Sequence, residues 1–202
     1  MESANLVKQM LVLSIINTGL NREGKLAEVL ILEEKVNRLE VEIDKVTINL
    51  IALYQPEAID LRRILMMYRI NTDLERLGDQ AVNIAQSAEH IDACEIKEQE
   101  LFQMQELTLK MFGDAITAFL KEDVNLAQAV CAKDQAVDDL NKIVYKQVLQ
   151  HIQANPGHAD FYLHTLRIAK NLERSADLAT NIAENTIYLS QGKQIKHHWD
   201  QA

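Results

Sequence analysis

A seventeen-residue segment recurs in this chain 98 positions downstream. Arg69-Ile70-x-x-x-Leu74-Glu75-Arg76-x-x-Asp79-x-Ala81-x-Asn83-Ile84-Ala85 returns as Arg167-Ile168-x-x-x-Leu172-Glu173-Arg174-x-x-Asp177-x-Ala179-x-Asn181-Ile182-Ala183, with ten of the seventeen positions identical and no gap. Upstream, Glu33, Val36 and Leu39 answer Asp134, Val137 and Leu140, and Pro56 and Pro156 stand 100 residues apart. Self-similarity at a fixed period marks a chain built from structural units that bury their apolar faces against one another. The 202 residues therefore divide into two homologous halves.

Each half reads as three helices. Leu6, Met10, Leu13, Ile16 and Leu20 recur at helical spacing over 3–20, and Gly19, Asn21 and Gly24 mark a stop. A second rod over 25–53 carries Leu26, Leu30, Val36, Leu39, Ile43, Val46 and Leu50 with no Gly or Pro. Pro56 suits the first turn of a third helix, which runs to residue 90. The second half repeats the plan over 95–121, 123–153 and, after Asn155-Pro156-Gly157, 158–190. The expected fold is all-α, with a three-helix repeat over 1–92, a second over 93–190 and a polar tail over 191–202. The apolar stripes are there to be buried, and no cofactor pocket is read from them.

Composition narrows the function. Six Gly, two Pro and 5% aromatic residues argue against an all-β fold. A net charge of −9 argues against nucleic-acid binding, because phosphate contacts need clustered Lys and Arg. Cys94 and Cys131 form neither a disulfide framework nor a Cys-x-x-Cys metal pair, which fits a reducing compartment. No apolar run approaches the roughly 18 residues of a membrane span. The stretch Met10–Ile16 lacks the basic n-region of a secretion signal and follows Glu2, so a cytoplasmic protein is expected.

The repeated carboxylates carry the chemistry. Glu75 and Asp79 stand i,i+4 and leave one helix face together, as Glu173 and Asp177 do. Exposed like-charge pairs of this spacing cost about 0.2–0.5 kcal/mol. The ordinary account is that Arg76 and Arg174, each i,i+3 from its aspartate, neutralise them on a solvated surface. The alternative is a hard-cation site, with oxygen donors converging from a neighbouring antiparallel helix. Glu33 and Asn37 in the first half, and Asp134 and Asp138 in the second, have that placement, and Gly78 and Ala176 are small enough to let a helix approach. Four carboxylates in the second half against three and Asn37 in the first rank the second site as the stronger. None of the six histidines follows a glutamate at i+3, which removes the di-iron carboxylate bundles. His197-His198 lie in the polar tail, and no Gly-rich phosphate loop is present.

Ala52-Leu53-Tyr54-Gln55-Pro56-Glu57-Ala58-Ile59-Asp60-Leu61-Arg62, followed by Thr72-Asp73-Leu74-Glu75-Arg76-Leu77-Gly78-Asp79, resembles the first half of the PhoU family. Leu172-Glu173-Arg174-x-x-Asp177-x-Ala179-Thr180-Asn181-Ile182-Ala183-Glu184-Asn185-x-Ile187-Tyr188-Leu189-x-x-Gly192 resembles its second half. The resemblance implies two pseudo-symmetric three-helix bundles and a non-enzymatic regulator of phosphate uptake and phosphate-starvation signalling. The implied partners are the phosphate ABC transporter and the phosphate-sensing histidine kinase, with peripheral association to membrane proteins, homodimerisation and no nucleic acid. It also implies a Glu/Asp-x-x-x-Asp motif that carries metal in some members, here Glu75/Asp79, Glu173/Asp177 and Asp134/Asp138, with Glu33/Asn37 as an amide variant. The expected ion is a divalent or trivalent hard cation such as iron, zinc, manganese or magnesium. Leu178 stands where the family usually has His, which removes one donor, and Ser175 replaces a usual aliphatic residue. Two other functions compete. One is a PhoU-like domain regulating a sodium–phosphate cotransporter. The other is a metal-dependent hydrolase, against which the lack of a nucleophile and of a His ligand set counts.

Overall fold

The computed structural model describes residues 1–18, 25–91 and 99–192. The expected stop at Gly19, Asn21 and Gly24, the helix start at 95, Cys94, the boundary between 92 and 93, His197-His198 and nearly all of the polar tail lie outside the described residues. Among the described residues seven α-helices follow in order: α1 Glu2–Asn17, α2 Lys25–Tyr54, α3 Ala58–Ala88, α4 Gln99–Lys121, α5 Val124–Cys131, α6 Asp134–Ala154 and, after a short 3₁₀ turn at Pro156–His158, α7 Ala159–Gln191. Among the described residues there is no strand.

The repeated segment forms the middle of α3 and α7, and these two helices pack antiparallel along the centre of the molecule. The start of α3 meets the end of α7, where the Arg62 guanidinium lies 5.5 Å over the Tyr188 ring. The end of α3 meets the first half of α7, where Arg167 reaches Asn83 and the His90 and His164 rings stack at 4.3 Å. Small side chains allow this approach: Ala81, Ala85 and Ala88 on α3 and Ala169, Ala176, Ala179 and Ala183 on α7 are all fully buried. Leu77, Ile84, Leu172 and Ile182 fill the remaining space, each contributing about 1.5–3 kcal/mol of transfer free energy.

Around this seam α1 and α2 complete one three-helix bundle, and α4 with α5 and α6 completes the other. Ser14 Oγ lies 2.6 Å from Met10 O and 2.7 Å from Ala81 O and ties α1 to α3. A Cβ on Gly78 would sit 3.4 Å from Met10 Cε and 3.9 Å from Val36, so that glycine lies where three helices converge.

Four expectations are corrected. The rod expected over 123–153 is two helices, broken at Ala132 and Lys133. There the backbone changes to i→i−3 hydrogen bonds, from Lys133 N to Val130 O and from Ala136 N to Lys133 O. The break needs no Gly or Pro, and the Lys133 ammonium is fastened 2.8 Å from Asp114 on α4. Pro56 precedes α3 instead of sitting in its first turn, whereas Pro156 starts the 3₁₀ turn before α7. In α1 the buried residues include Ala4, Val7, Met10, Leu11 and Ser14; of the expected stripe Met10 is buried, Leu6 and Leu13 pack against the core, Ile16 is exposed, and Leu20 lies outside the described residues. In α2 only Val29, Val36 and Thr47 are buried, and Leu30, Val46 and Leu50 face outward. A helix covered on one narrow side does not need all the apolar residues it carries.

Candidate metal centres

The seven carboxylates expected at the two sites fall into two groups, one per repeat. In the first, Glu33 and Asn37 on α2 face Glu75 and Asp79 on α3. In the second, Asp134 and Asp138 on α6 face Glu173 and Asp177 on α7. Their mutual repulsion reports the convergence. The Glu75 carboxyl is held above its ordinary range by partial burial, then by Asp79, Glu40 and Glu33, against the opposing charge of Arg76. Asp79 is raised by partial burial and by Glu33 across the helix pair. Asp177 is pushed up to about 6, by partial burial first, then by Glu173, Asp134 and Asp138, with Lys170 opposing. Asp134 is raised by partial burial and by Asp138 and Glu173, and is lowered by its hydrogen bond from Thr180.

The ordinary arginine account does not describe this geometry. Neither Arg76 nor Arg174 is a partner of its i+3 aspartate among the described residues, and Arg76 acts on Glu75 instead. The groups that do satisfy the clusters are different ones. Asn37 Nδ2 donates to Glu33 Oε1 at 2.6 Å in the first repeat. In the second, the Lys170 ammonium lies 2.7 Å from Glu173 Oε1 and 2.6 Å from Oε2, and Thr180 Oγ1 donates to Asp134 Oδ1 at 3.2 Å.

Three residues at these clusters were not singled out from the sequence. Glu40 lies two turns along α2 from Glu33, a spacing that was readable, but its repeat counterpart is Asn141, so no pairing drew attention to it. Lys170 stands i,i+3 from Glu173, a spacing that would have found it. Thr180 approaches Asp134 only through the packing of α6 on α7, and nothing in the sequence signals that. The asparagines flanking the motifs bridge helices: Asn71 Nδ2 donates to Glu40 O and to Asp44 Oδ1, and Asn83 accepts from Arg167 across the seam.

The donor set is all oxygen and mostly anionic, which suits a hard cation. As the side chains stand, no three carboxylate, imidazole or thiol groups among the described residues gather closely enough to hold an ion. Any ligation therefore requires rotation of carboxylates already on the right faces.

These features define a protein of two pseudo-symmetric three-helix repeats, each presenting a carboxylate cluster between two of its own helices. The chain belongs to the PhoU family: the family profile for the PhoU domain matches residues 1–88 and again 101–186. It is 38% identical over 183 residues to a phosphate-specific transport system accessory protein PhoU homolog of Aquifex aeolicus, covering 89% of this chain and 83% of that one. It is 34% identical over 178 residues to a PhoU homolog of Clostridium acetobutylicum, covering 86% and 81%. The crystal structure of PhoU from Pseudomonas aeruginosa superposes with a TM-score of 0.89 at 28% identity, over 95% of this chain and 93% of that one.

Proposed function

We propose that this chain is a non-enzymatic accessory protein of phosphate transport, which restrains phosphate uptake and phosphate-starvation signalling by binding the phosphate ABC transporter and the phosphate-sensing histidine kinase. The observation that carries the reading is the family match over both repeats together with relatives named as accessory proteins of phosphate-specific transport. No described helix is long and apolar enough to cross a membrane, which agrees with a cytoplasmic protein that meets membrane partners from the side. A homodimer is part of the proposal. So is a hard cation, iron, zinc, manganese or magnesium, held at Glu75, Asp79 and Glu33 in one repeat and at Glu173, Asp177, Asp134 and Asp138 in the other. The cation would neutralise the clustered charge and fix the facing helices.

Capture of the tagged chain from cells grown with ample phosphate, followed by identification of the bound proteins, tests the partners. Recovery of a phosphate transporter subunit and a sensor kinase is the expected result. Recovery of neither, with phosphate uptake and starvation-gene expression unchanged on deletion, overturns the reading.

A further inference from the structure

The α3–α7 seam is closed differently at its two ends. At the end of α3 the His90 ring stacks on the His164 ring of α7, with centroids 4.3 Å apart and planes 15° from parallel. The repeat pairs position 90 with Tyr188 and position 164 with Met66. At that opposite end the Arg62 guanidinium lies 5.5 Å over the Tyr188 ring, and Met66 is buried. Arginine stays charged and tyrosine neutral across the neutral pH range, whereas an imidazole changes its charge within it.

The stack stands where the first repeat hands the chain on. α3 ends at Ala88, His90 N donates to Ser87 O at 3.2 Å, and Ile91 just beyond is 2% exposed. His90 is exposed, so protons reach the stack directly from water. The His164 side chain is only 18% exposed. Its Nδ1 is buried without a hydrogen-bond partner, and its Nε2 lies 3.9 Å from Asp160 Oδ1, beyond hydrogen-bond reach. The charged form of this ring would bury an N–H with nothing to receive it.

The surrounding charges act on the same ring. Leu26, Gln86, Glu89, His90, His164 and Arg167 line a cleft of about 300 Å3 beside the stack. α7 contributes Arg167 and Asp160, α3 contributes Glu89, and the first turn of α2 contributes Lys25, which is paired with Glu28 at 3.0 Å. Burial first, then His90, hold the His164 imidazole below its ordinary range, with Asp160 opposing and Arg167 adding to the shift.

We propose that the His90–His164 stack is a proton-released clasp between the two repeats: neutral rings hold the end of α3 on α7, and protonation of both rings opens it. Two imidazolium rings in the closed stack would set like charges 4.3 Å apart beside Arg167. Separated rings take up both protons in water. Each pH unit below the ordinary imidazole value of about 6.5 then favours the open form by up to about tenfold for every proton the closed stack excludes. Opening is local, because Ala81, Ile84 and Ala85, one to two turns earlier, are fully buried and do not titrate. The proposal stands apart from the cation reading and from the transport partners.

The test is hydrogen exchange read by mass spectrometry on the full-length chain at pH 7.5 and 5.5, each rate divided by its intrinsic value at that pH. Amides of 86–91 should lose about tenfold in protection between the two conditions, while those of 62–68, at the Arg62–Tyr188 end, should stay within about twofold. His164→Gln removes the enclosed imidazole, and protection of 86–91 should no longer depend on pH. His90→Phe keeps a ring against His164 but leaves one titrating group, and should lose no more than about threefold. Circular dichroism checks that each variant folds. No loss in the parent, or an equal loss in the parent and both variants, overturns the proposal. A loss as large at 62–68 as at 86–91 also overturns it, since it reports general acid destabilisation.

Discussion

The two repeats place carboxylates at matching points of matching helices and then neutralise them by different means. In the first, an amide does part of the work: Asn37 donates to Glu33, and the charge that opposes the raised Glu75 carboxyl is that of the neighbouring Arg76. In the second, an ammonium sits on Glu173 and a hydroxyl on Asp134, yet partial burial, and after it three neighbouring carboxylates, still push Asp177 up to about 6. Counting carboxylates ranks the second site above the first, and the counter-ions complicate that ranking. A duplicated fold holds its backbone geometry through the shared seam, while single side chains at the rim are free to diverge and set the electrostatics of each copy.

The comparison can be broken first at the seam. Leu74 and Leu172 are equivalent, but Leu74 is 7% exposed and Leu172 is fully buried. Leu172→Ala should cost about 3–5 kcal/mol and Leu74→Ala about 2–3, as cavity formation in a tight core predicts. Equal losses in urea denaturation would show that the seam is loaded symmetrically.

Metal addition is the next largest effect. At a hundredfold excess over Kd, one bound ion stabilises the fold by about 2.7 kcal/mol. Glu173→Gln with Asp177→Asn should remove the second-repeat share of that rise, and Glu75→Gln with Asp79→Asn the first. Each double variant should melt at or above the metal-free parent, because repulsion is relieved. A rise in melting temperature that persists in the combined fourfold variant would place the ion elsewhere.

The pH response should distinguish the repeats without metal. A carboxyl raised in the folded chain binds its proton more tightly there than when unfolded. The stability it contributes is therefore gained as pH falls through about 6 and is lost above it. Asp177→Asn should flatten the change in denaturation midpoint between pH 7.5 and 5 more than Asp79→Asn does. His164 runs the other way, since burial and His90 hold its imidazole below the ordinary range. The difference between the two aspartate variants cancels that background.

The smallest effect lies in the turns. Gln55 and Ala58 both have φ of +47°, so the α2–α3 turn keeps non-glycine residues in the left-handed region. The equivalent Asn155 has φ −141° and needs no such conformation. Gln55→Gly should stabilise by about 0.5 kcal/mol, and Asn155→Gly should destabilise by a similar amount. The two changes, measured by thermal melting, should have opposite signs.

Much of this architecture was legible because the repeat is gapless: an alignment of seventeen residues fixes which faces of α3 and α7 are equivalent. The carboxylate faces were legible because i,i+4 spacing is a property of the helix alone. The apolar side of α2 was not, since Leu30, Val46 and Leu50 have helical spacing but no helix packed over them. The break at Ala132–Lys133 left no trace in composition, because a change to i→i−3 hydrogen bonding requires no special residue. Thr180 on Asp134 depends on how α6 lies on α7, which periodicity does not encode. Glu40 was hidden by its own asymmetry, having no acidic counterpart in the other half.

The α3–α7 seam also has a consequence for synthesis. Its two helices end at Ala88 and Gln191, so one completes about 100 residues before the other. At roughly 5–20 residues per second, the ribosome leaves the inner face of α3 without its mate for about 5–20 s. During that interval Leu77, Ala81, Ile84 and Ala85 have only α1 and α2 to shelter them. Translation arrested after the first repeat would make that exposure permanent, producing a fragment with an adhesive ridge along its full length.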